Sequence, residues 1–399
     1  MPKVLRIINR FNLGGPTYNA AYLSKYLAPE FETLLIGGEK DDTEENSEFI
    51  VCNLGLKPII IPEMKRSLNI KYDYIAYQKI KEIIKKFKPD IIHTHASKAG
   101  ALGRYAAINE KVPVIVHTFH GHVFDAYFNN FQATFYKRIE RNLAKKSSKI
   151  IAISEKQKFD LTDKYKICGK DKVEVIPLGF DLSRFREHMD DKRKDFRQKY
   201  NIEEDEIAIG IIGRIVPIKN HTMFLYAIRN LQQSTSKKIR AFIVGDGEDR
   251  KKIEAKATEL NIDFTTNANI TQKATLTFTS WIKEADWVNA GMDIIALTSL
   301  NEGTPVSLIE AQASNKPIIT TKVGGIKNTV LQNETALLVN MNDKEEYINK
   351  LTQLIESKEL RDRLGSNGWI HVKSKFHYER LASDMSNLYN NLLNQEIKE

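Results

Sequence analysis

Cysteine is nearly absent: Cys52 and Cys168 are the two in 399 residues, far apart and without neighbours of metal-ligand spacing. That excludes a disulfide framework and a cysteine-built zinc site, and a reducing cytoplasm is the expected setting. No apolar run approaches the roughly 18 residues a membrane span needs. The chain also enters Val4-Leu5-Arg6-Ile7-Ile8 directly, so no signal peptide is expected. Asp-x-Asp occurs nowhere, which removes one common acidic clamp for a divalent metal. Gly-x-Gly-x-x-Gly is missing as well: Gly14-Gly15 and Gly245-x-Gly247 are incomplete versions. A nicotinamide oxidoreductase is disfavoured for that reason.

What is present fits a globular protein, 42% hydrophobic and 28% charged, long enough for two domains of nearly 200 residues each. The net charge of +9 is uneven. Residues 1–182 hold 29 Lys+Arg against 21 Asp+Glu, and residues 183–399 hold 31 against 30. Lys79 to Lys88 and Lys137 to Lys149 are the densest basic stretches, and both have amphipathic helical spacing. Such faces suit an anionic membrane surface, nucleic acid or plain solvent. The clustered aromatic and basic residues expected of a nucleic-acid surface are absent.

Short apolar runs alternate with helical ones along the whole chain, which predicts parallel sheets covered on both faces. Strand Val4 to Ile8 leads through Gly14-Gly15-Pro16 into a helix from Thr17 to Leu27. Those glycines allow a turn with positive φ or a close backbone approach to a ligand. Two strands end in histidines, Asp90 to His95 and Pro113 to His122, giving five between 93 and 122. Polar strand ends mark the ligand crevice of an open α/β sheet. Zinc is not expected there: His93 and His95 are read as falling on alternate faces of their strand, and no Glu-x-x-His helix supplies further ligands. The charged stretch from Asp181 to about Glu206 is the expected domain junction. Beyond it come strand Ile207 to Ile212, a loop carrying Arg214 and Lys219, helix His221 to Gln233, and strand Arg240 to Val244 with Gly245-Asp246-Gly247.

The stretch from Asn301 to Ala311 (NEGTPVSLIEA) places Glu302 and Glu310 on either side of a loop-to-helix junction. Thr304 as N-cap and Pro305 as first helical residue set the expected helix start. The free amides of Val306 and Ser307 suit a phosphate, and Glu310 suits the two hydroxyls of a ribose. Arg214 and Lys219 are expected at the same sheet edge.

These pieces, in this order, resemble glycosyltransferase family 4, the retaining sugar transferases of the GT-B fold. The likeness is carried by Gly14-Gly15, His93-x-His95, Thr118-Phe119-His120-Gly121, Val175 to Asp181 with Phe185, Gly213-Arg214 with Lys219, Val244-Gly245-Asp246-Gly247, Glu302-x7-Glu310 and Val323-Gly324-Gly325. It implies an α/β architecture of two Rossmann-like domains facing each other across a cleft. Residues 1–182 would bind the acceptor, with a C-terminal helix at 376–399 packing back on them, and residues 183–375 would bind a nucleotide-sugar donor.

The resemblance also assigns roles. Arg214 and Lys219 match the basic pair on the donor diphosphate, Glu302 the glutamate meeting the donor sugar, and Val306 and Ser307 the phosphate-binding amides. Glu310 matches the ribose ligand, His120 the histidine that contacts the transferred sugar, and Gly15 the acceptor-domain glycine loop near the phosphates. The implied reaction moves a sugar, UDP-linked by expectation, onto a saccharide or lipid-linked acceptor for capsule, lipopolysaccharide or another surface polysaccharide. No metal and no cofactor are expected, and peripheral contact with the inner membrane face is. A nucleotide-sugar epimerase of the same fold is the alternative. Ser280 departs from the family by replacing its usual glycine, and Ser314-Asn315 stands where a small residue and glycine precede Pro317.

Overall fold

The computed structural model describes residues 1–11, 15–39, 48–65, 67–120, 130–266 and 273–396, without the side chains of 130–133. Gly14, Gly121, His122, most of the polar loop after Glu39 and residues 397–399 of the expected C-terminal helix lie outside the described residues. The chain divides into two compact units, Met1–Phe180 with Lys375–Glu399, and Asp181–Ser374.

The first unit carries strands β1 (Lys3–Arg10), β2 (Glu32–Gly38), β3 (Ile59–Ile60), β4 (Ile91–His95), β5 (Val114–Phe119), β6 (Lys149–Ala152) and β7 (Val173–Val175) in the parallel order β3-β2-β1-β4-β5-β6-β7. Val4, Leu5, Ile7 and Ile8 are all buried, as a central parallel strand with both faces covered requires. Arg6 lies in the middle of that run and is fully buried too. Strand order reverses between β1 and β4, so the ligand crevice of this sheet falls at their C-terminal ends.

Helix Tyr378–Glu396 belongs to this unit. It buries Leu381, Met385, Tyr389 and Leu392 on one helical stripe against a core that includes Val4, Leu23 and Phe31. A clasp holds its start: Phe180 N donates to the Phe376 carbonyl at 2.8 Å and Tyr378 N to that of Phe180 at 3.0 Å. A Cβ at Gly179 would stand 2.6 Å from that of Leu381, which explains the glycine between Leu178 and Phe180.

The second unit repeats the plan with β8 (Ile207–Ile212), β9 (Ile239–Val244), β10 (Phe264–Thr266), β11 (Leu276–Ser280), β12 (Ile294–Leu297), β13 (Ile318–Thr321) and β14 (Ala336–Val339). Its parallel order is β10-β11-β9-β8-β12-β13-β14, so the reversal lies between β8 and β12. The charged stretch from Asp181 begins where the second unit begins and folds as part of it. Helix Met189–Lys199 buries Phe196 against Phe242 and Trp287, and Arg193 and Arg197 both bind Asp293.

Candidate functional site

The switch point of the second sheet brings together the loops that follow β8 and β12. Thr298 Oγ1 donates to the carbonyls of Lys219 (2.9 Å) and Asn220 (3.0 Å), and Leu300 N to that of Ile218 (2.8 Å). This lacing sets Lys219 Nζ 2.5 Å from Glu302 Oε1. Ser299 Oγ donates to the same oxygen at 2.6 Å, leaving Oε2 as the acceptor for anything else. Ser299 had no assigned role in the sequence; its signal was a hydroxyl just past the end of an apolar strand, three residues before the acid.

Glycines build the floor under Glu302. Gly325 N donates to the Glu302 carbonyl at 2.9 Å, and a Cβ at Gly324 or Gly325 would stand 2.0 Å from the Glu302 oxygen or 1.8 Å from that of Gly303. The Val323-Gly324-Gly325 motif is therefore a packing requirement of the acid's loop. Gly245 and Gly247 do the same for the basic loop. A Cβ on either would meet the carbonyl of Gly213 at 2.0 Å or of Ile215 at 2.3 Å. Arg214, between them, is exposed and makes no ion pair among the described residues. Lys219 Cε lies 3.8 Å from the Cβ position of neighbouring Gly213.

Helix Val306–Ala313 starts one residue later than Thr304 and Pro305 predict. Pro305 is the N-cap, with extended ψ of 105°, and its carbonyl already accepts from Leu308 N at 3.1 Å. The amides of Val306 and Ser307 remain as first-turn donors without intrahelical partners. Glu310 follows in the second turn, half-buried. Burial pushes its carboxyl up to about 7; Arg184 opposes that shift and Asp286 adds to it. Asp286 is itself bound by Lys192 at 2.9 Å. Neither Arg184 nor Asp286 had a local signal, since both reach Glu310 only through the fold.

The two departures from the family pattern share a cause. Ser280 and Asn315 both have positive φ, 57° and 52°, the region glycine occupies at least cost. Ser280 Oγ accepts from Arg250 Nη1 at 2.6 Å and donates to Asp246 Oδ2 at 3.0 Å. Asn315 Oδ1 accepts from Trp369 N at 3.1 Å. Each side chain is held by hydrogen bonds a glycine could not make.

In the first unit, His93 and His95 do not alternate. Residues two apart in a strand share a face, and their rings stack with centroids 4.2 Å apart. His120, just past β5, closes the group through Nε2, 2.9 Å from His95 Nδ1. His117 turns to the opposite face, where Nδ1 meets Thr94 Oγ1 at 2.8 Å. Burial holds all four imidazoles neutral, His120 down at about 3. Below them, Arg6 binds His93 Nδ1 (2.8 Å), Tyr389 Oη (3.2 Å) and Ser24 Oγ (3.2 Å). Gly15 is the first residue of helix Gly15–Tyr26 and lacks the positive φ of a turn; its Cβ position would stand 3.5 Å from Leu178.

Among the described residues no helix is long and apolar enough to cross a membrane. The family model described as Glycosyltransferase Family 4 matches residues 13–184, and that described as Glycosyl transferases group 1 matches residues 192–369. The chain is 28% identical over 343 residues to the UDP-Gal:alpha-D-GlcNAc-diphosphoundecaprenol alpha-1,3-galactosyltransferase of Escherichia coli, with 84% of each chain covered. It is 26% identical over 339 residues to the capsular polysaccharide biosynthesis glycosyltransferase CapM of Staphylococcus aureus, covering 84% of this chain and 85% of that one. The solved structure of Anabaena Alr3699/HepE in complex with UDP has a TM-score of 0.80 at 18% identity, over 98% of this chain and 100% of the other. The fold is thus α/β of the GT-B class. Each half of the sequence matches one of the two models, each half folds as its own Rossmann-like sheet, and the chain belongs to the family 4, group 1 glycosyltransferases.

Proposed function

We propose that the protein transfers a hexose or N-acetylhexosamine, with retention, from a UDP-linked donor to a lipid-linked saccharide in surface polysaccharide synthesis. The observation that carries this reading is the Lys219–Glu302 contact at the switch point of the second sheet, next to a helix start with free amides. A leaving nucleoside diphosphate develops charge that must be neutralised. Arg214, Lys219 and the amides of Val306 and Ser307 supply fixed positive groups for it. With Asp-x-Asp absent from the sequence, these groups act in place of a divalent metal. Glu302 accepts from hydroxyls of the donor sugar through Oε2, and Glu310 from the ribose. His120, in the acceptor-binding unit, contacts the transferred sugar. The acceptor's proton leaves to a donor phosphate oxygen as the new bond forms on the face the diphosphate vacates.

The relatives support the substrate classes. The Escherichia coli relative is named for UDP-Gal and a diphosphoundecaprenol acceptor, the Staphylococcus aureus relative for capsular polysaccharide, and the Anabaena structure holds UDP. A lipid-linked acceptor calls for contact with a membrane surface. Helix Ile70–Phe87 buries Ala76, Ile80 and Ile84 in the core. At its start, Leu68 (69%), Ile70 (92%) and Tyr74 (62%) are exposed beside Lys65 and Lys71. An exposed apolar tip with a lysine on either side in sequence fits an anionic bilayer.

A thermal-shift panel of nucleotide sugars, followed by product analysis with a polyprenyl-diphosphate saccharide, tests the reading. Stabilisation by a UDP-sugar and an axially retained product are expected. Interconversion of the free donor without acceptor would replace transfer by epimerisation, and an inverted product would remove the proposed geometry of attack.

A further inference from the structure

His95 has no assigned role, yet it is the residue that holds His120. Its side chain is completely buried, so it reaches no substrate itself. Its Nδ1 lies 2.9 Å from His120 Nε2. A hydrogen bond between two neutral imidazoles needs one N–H and one lone pair. If His95 Nδ1 donates, His120 carries its own proton on Nδ1; if His120 Nε2 donates, His120 Nδ1 is a bare lone pair. In both cases the two rings carry their protons on the same-named nitrogen. The single proton between them therefore decides what His120 Nδ1 can do, and that atom has no partner among the described residues.

The pair is clamped from one side. A guanidinium has no lone pair, so Arg6 can only donate to His93 Nδ1, and His93 must hold its proton on Nε2, where it donates to Thr118 Oγ1 at 2.7 Å. That fixes the His93 ring, and His95 stacks on it. Thr118 is also the register partner of His95 across β4 and β5. The buried arginine has no carboxylate among its described partners, so its charge adds to burial in keeping the imidazole above it neutral.

We propose that His95 is a positioning residue that fixes the ring orientation and tautomer of His120, and so sets whether His120 meets a sugar hydroxyl as donor or acceptor. The proposal rests on the glycosyl-transfer reading for its consequence, but not for its geometry.

Two variants of the full-length protein separate positioning from packing. His95→Asn places an amide near the position of Nδ1, whereas His95→Leu keeps volume alone. With a UDP-sugar and a polyprenyl-diphosphate saccharide acceptor the wild type turns over, His95→Leu should lose on the order of 10²-fold in kcat with little change in donor KM, and His95→Asn should recover most of that loss. His95→Leu added to His120→Ala should cost nothing further. Equal activity of the Leu variant and wild type, an Asn variant as poor as Leu, or multiplying losses in the double variant would each overturn the proposal. Independently of turnover, imidazole 15N spectra of the unliganded wild type should show His95 and His120 neutral at pH 7 and in the same tautomer. Opposite tautomers would overturn it, whereas a shared tautomer in a protein that transfers no sugar would uphold the pair and count against the transferase reading.

Discussion

Lys219 Nζ and Glu302 Oε1, 83 residues apart in sequence, are 2.5 Å apart in the fold, with Ser299 Oγ on the same oxygen. A cation and an acid at the end of two neighbouring strands thus hold each other in place before any ligand arrives. The pair is preorganised, with the second oxygen of the acid left for a hydroxyl.

Lys219→Ala and Arg214→Ala should each reduce kcat on the order of 10²–10³-fold, the cost of removing one fixed donor from a developing anion. Their effects on stability should differ. Arg214 is exposed and without an ion-pair partner among the described residues, so its loss should leave Tm unchanged. Removing Lys219 strips a partly buried carboxylate of its partner and should lower Tm. Steady-state kinetics and calorimetry on the two variants check this.

Gly325→Ala tests the floor of the acid loop. Its new Cβ would lie 1.8 Å from the Gly303 carbonyl oxygen, a backbone atom that cannot rotate away. Overpacking of this kind costs about 1–3 kcal/mol. Donor affinity should fall together with Tm, whereas Gly303→Ala, which meets nothing within 4 Å, should change stability little.

Glu310 should make donor binding depend on pH. Its carboxyl is raised from 4.5 to about 7, so the folded state keeps the proton over a window in which the unfolded chain releases it. Stability should fall as pH rises through that window and level off above about 7. A ribose diol needs the ionised form as acceptor, so UDP affinity should rise over the same interval. Glu310→Gln should flatten both curves, be the more stable protein at pH 8, and bind UDP weakly throughout. A wild-type Tm independent of pH between 4.5 and about 7 would contradict the assignment.

The exposed tip gives a membrane prediction. Leu68→Ser with Ile70→Ser should lower co-sedimentation with vesicles containing anionic phospholipid and leave turnover of a water-soluble acceptor intact. Added salt should weaken what remains, because lysine contacts to anionic headgroups are screened.

The placement of several candidate residues of the second unit was legible in the sequence. Arg214, Lys219, Glu302 and Glu310 all lie just past apolar strands or on the helix after one, where parallel sheets present their ligands. The start of helix Val306–Ala313 was legible to one residue, Pro305 being assigned inside the helix that it caps, whereas the helix expected over Lys79 to Lys88 begins at Ile70. Gly245 and Gly247 read as an incomplete dinucleotide motif, and contact distances show them packed under residues 213–215. The faces of His93 and His95 were misread, although a period of two puts both on one side. What local pattern could not reveal was long-range pairing. Arg6 stands inside an apolar strand with no local sign of a partner, and Tyr389, which it binds, lies 383 residues away.

The central claim is that the second unit holds a nucleoside diphosphate by the fixed positive groups around Lys219 and the start of helix Val306–Ala313. Calorimetric titration with UDP, in the presence of excess chelator, tests it most directly. Saturable one-to-one binding by the wild type and affinity at least about 10-fold weaker in Lys219→Ala are expected, each lost charged hydrogen bond being worth roughly 1.5–3 kcal/mol. Equal affinity in the two proteins, or binding by the wild type that disappears on chelation, would contradict it.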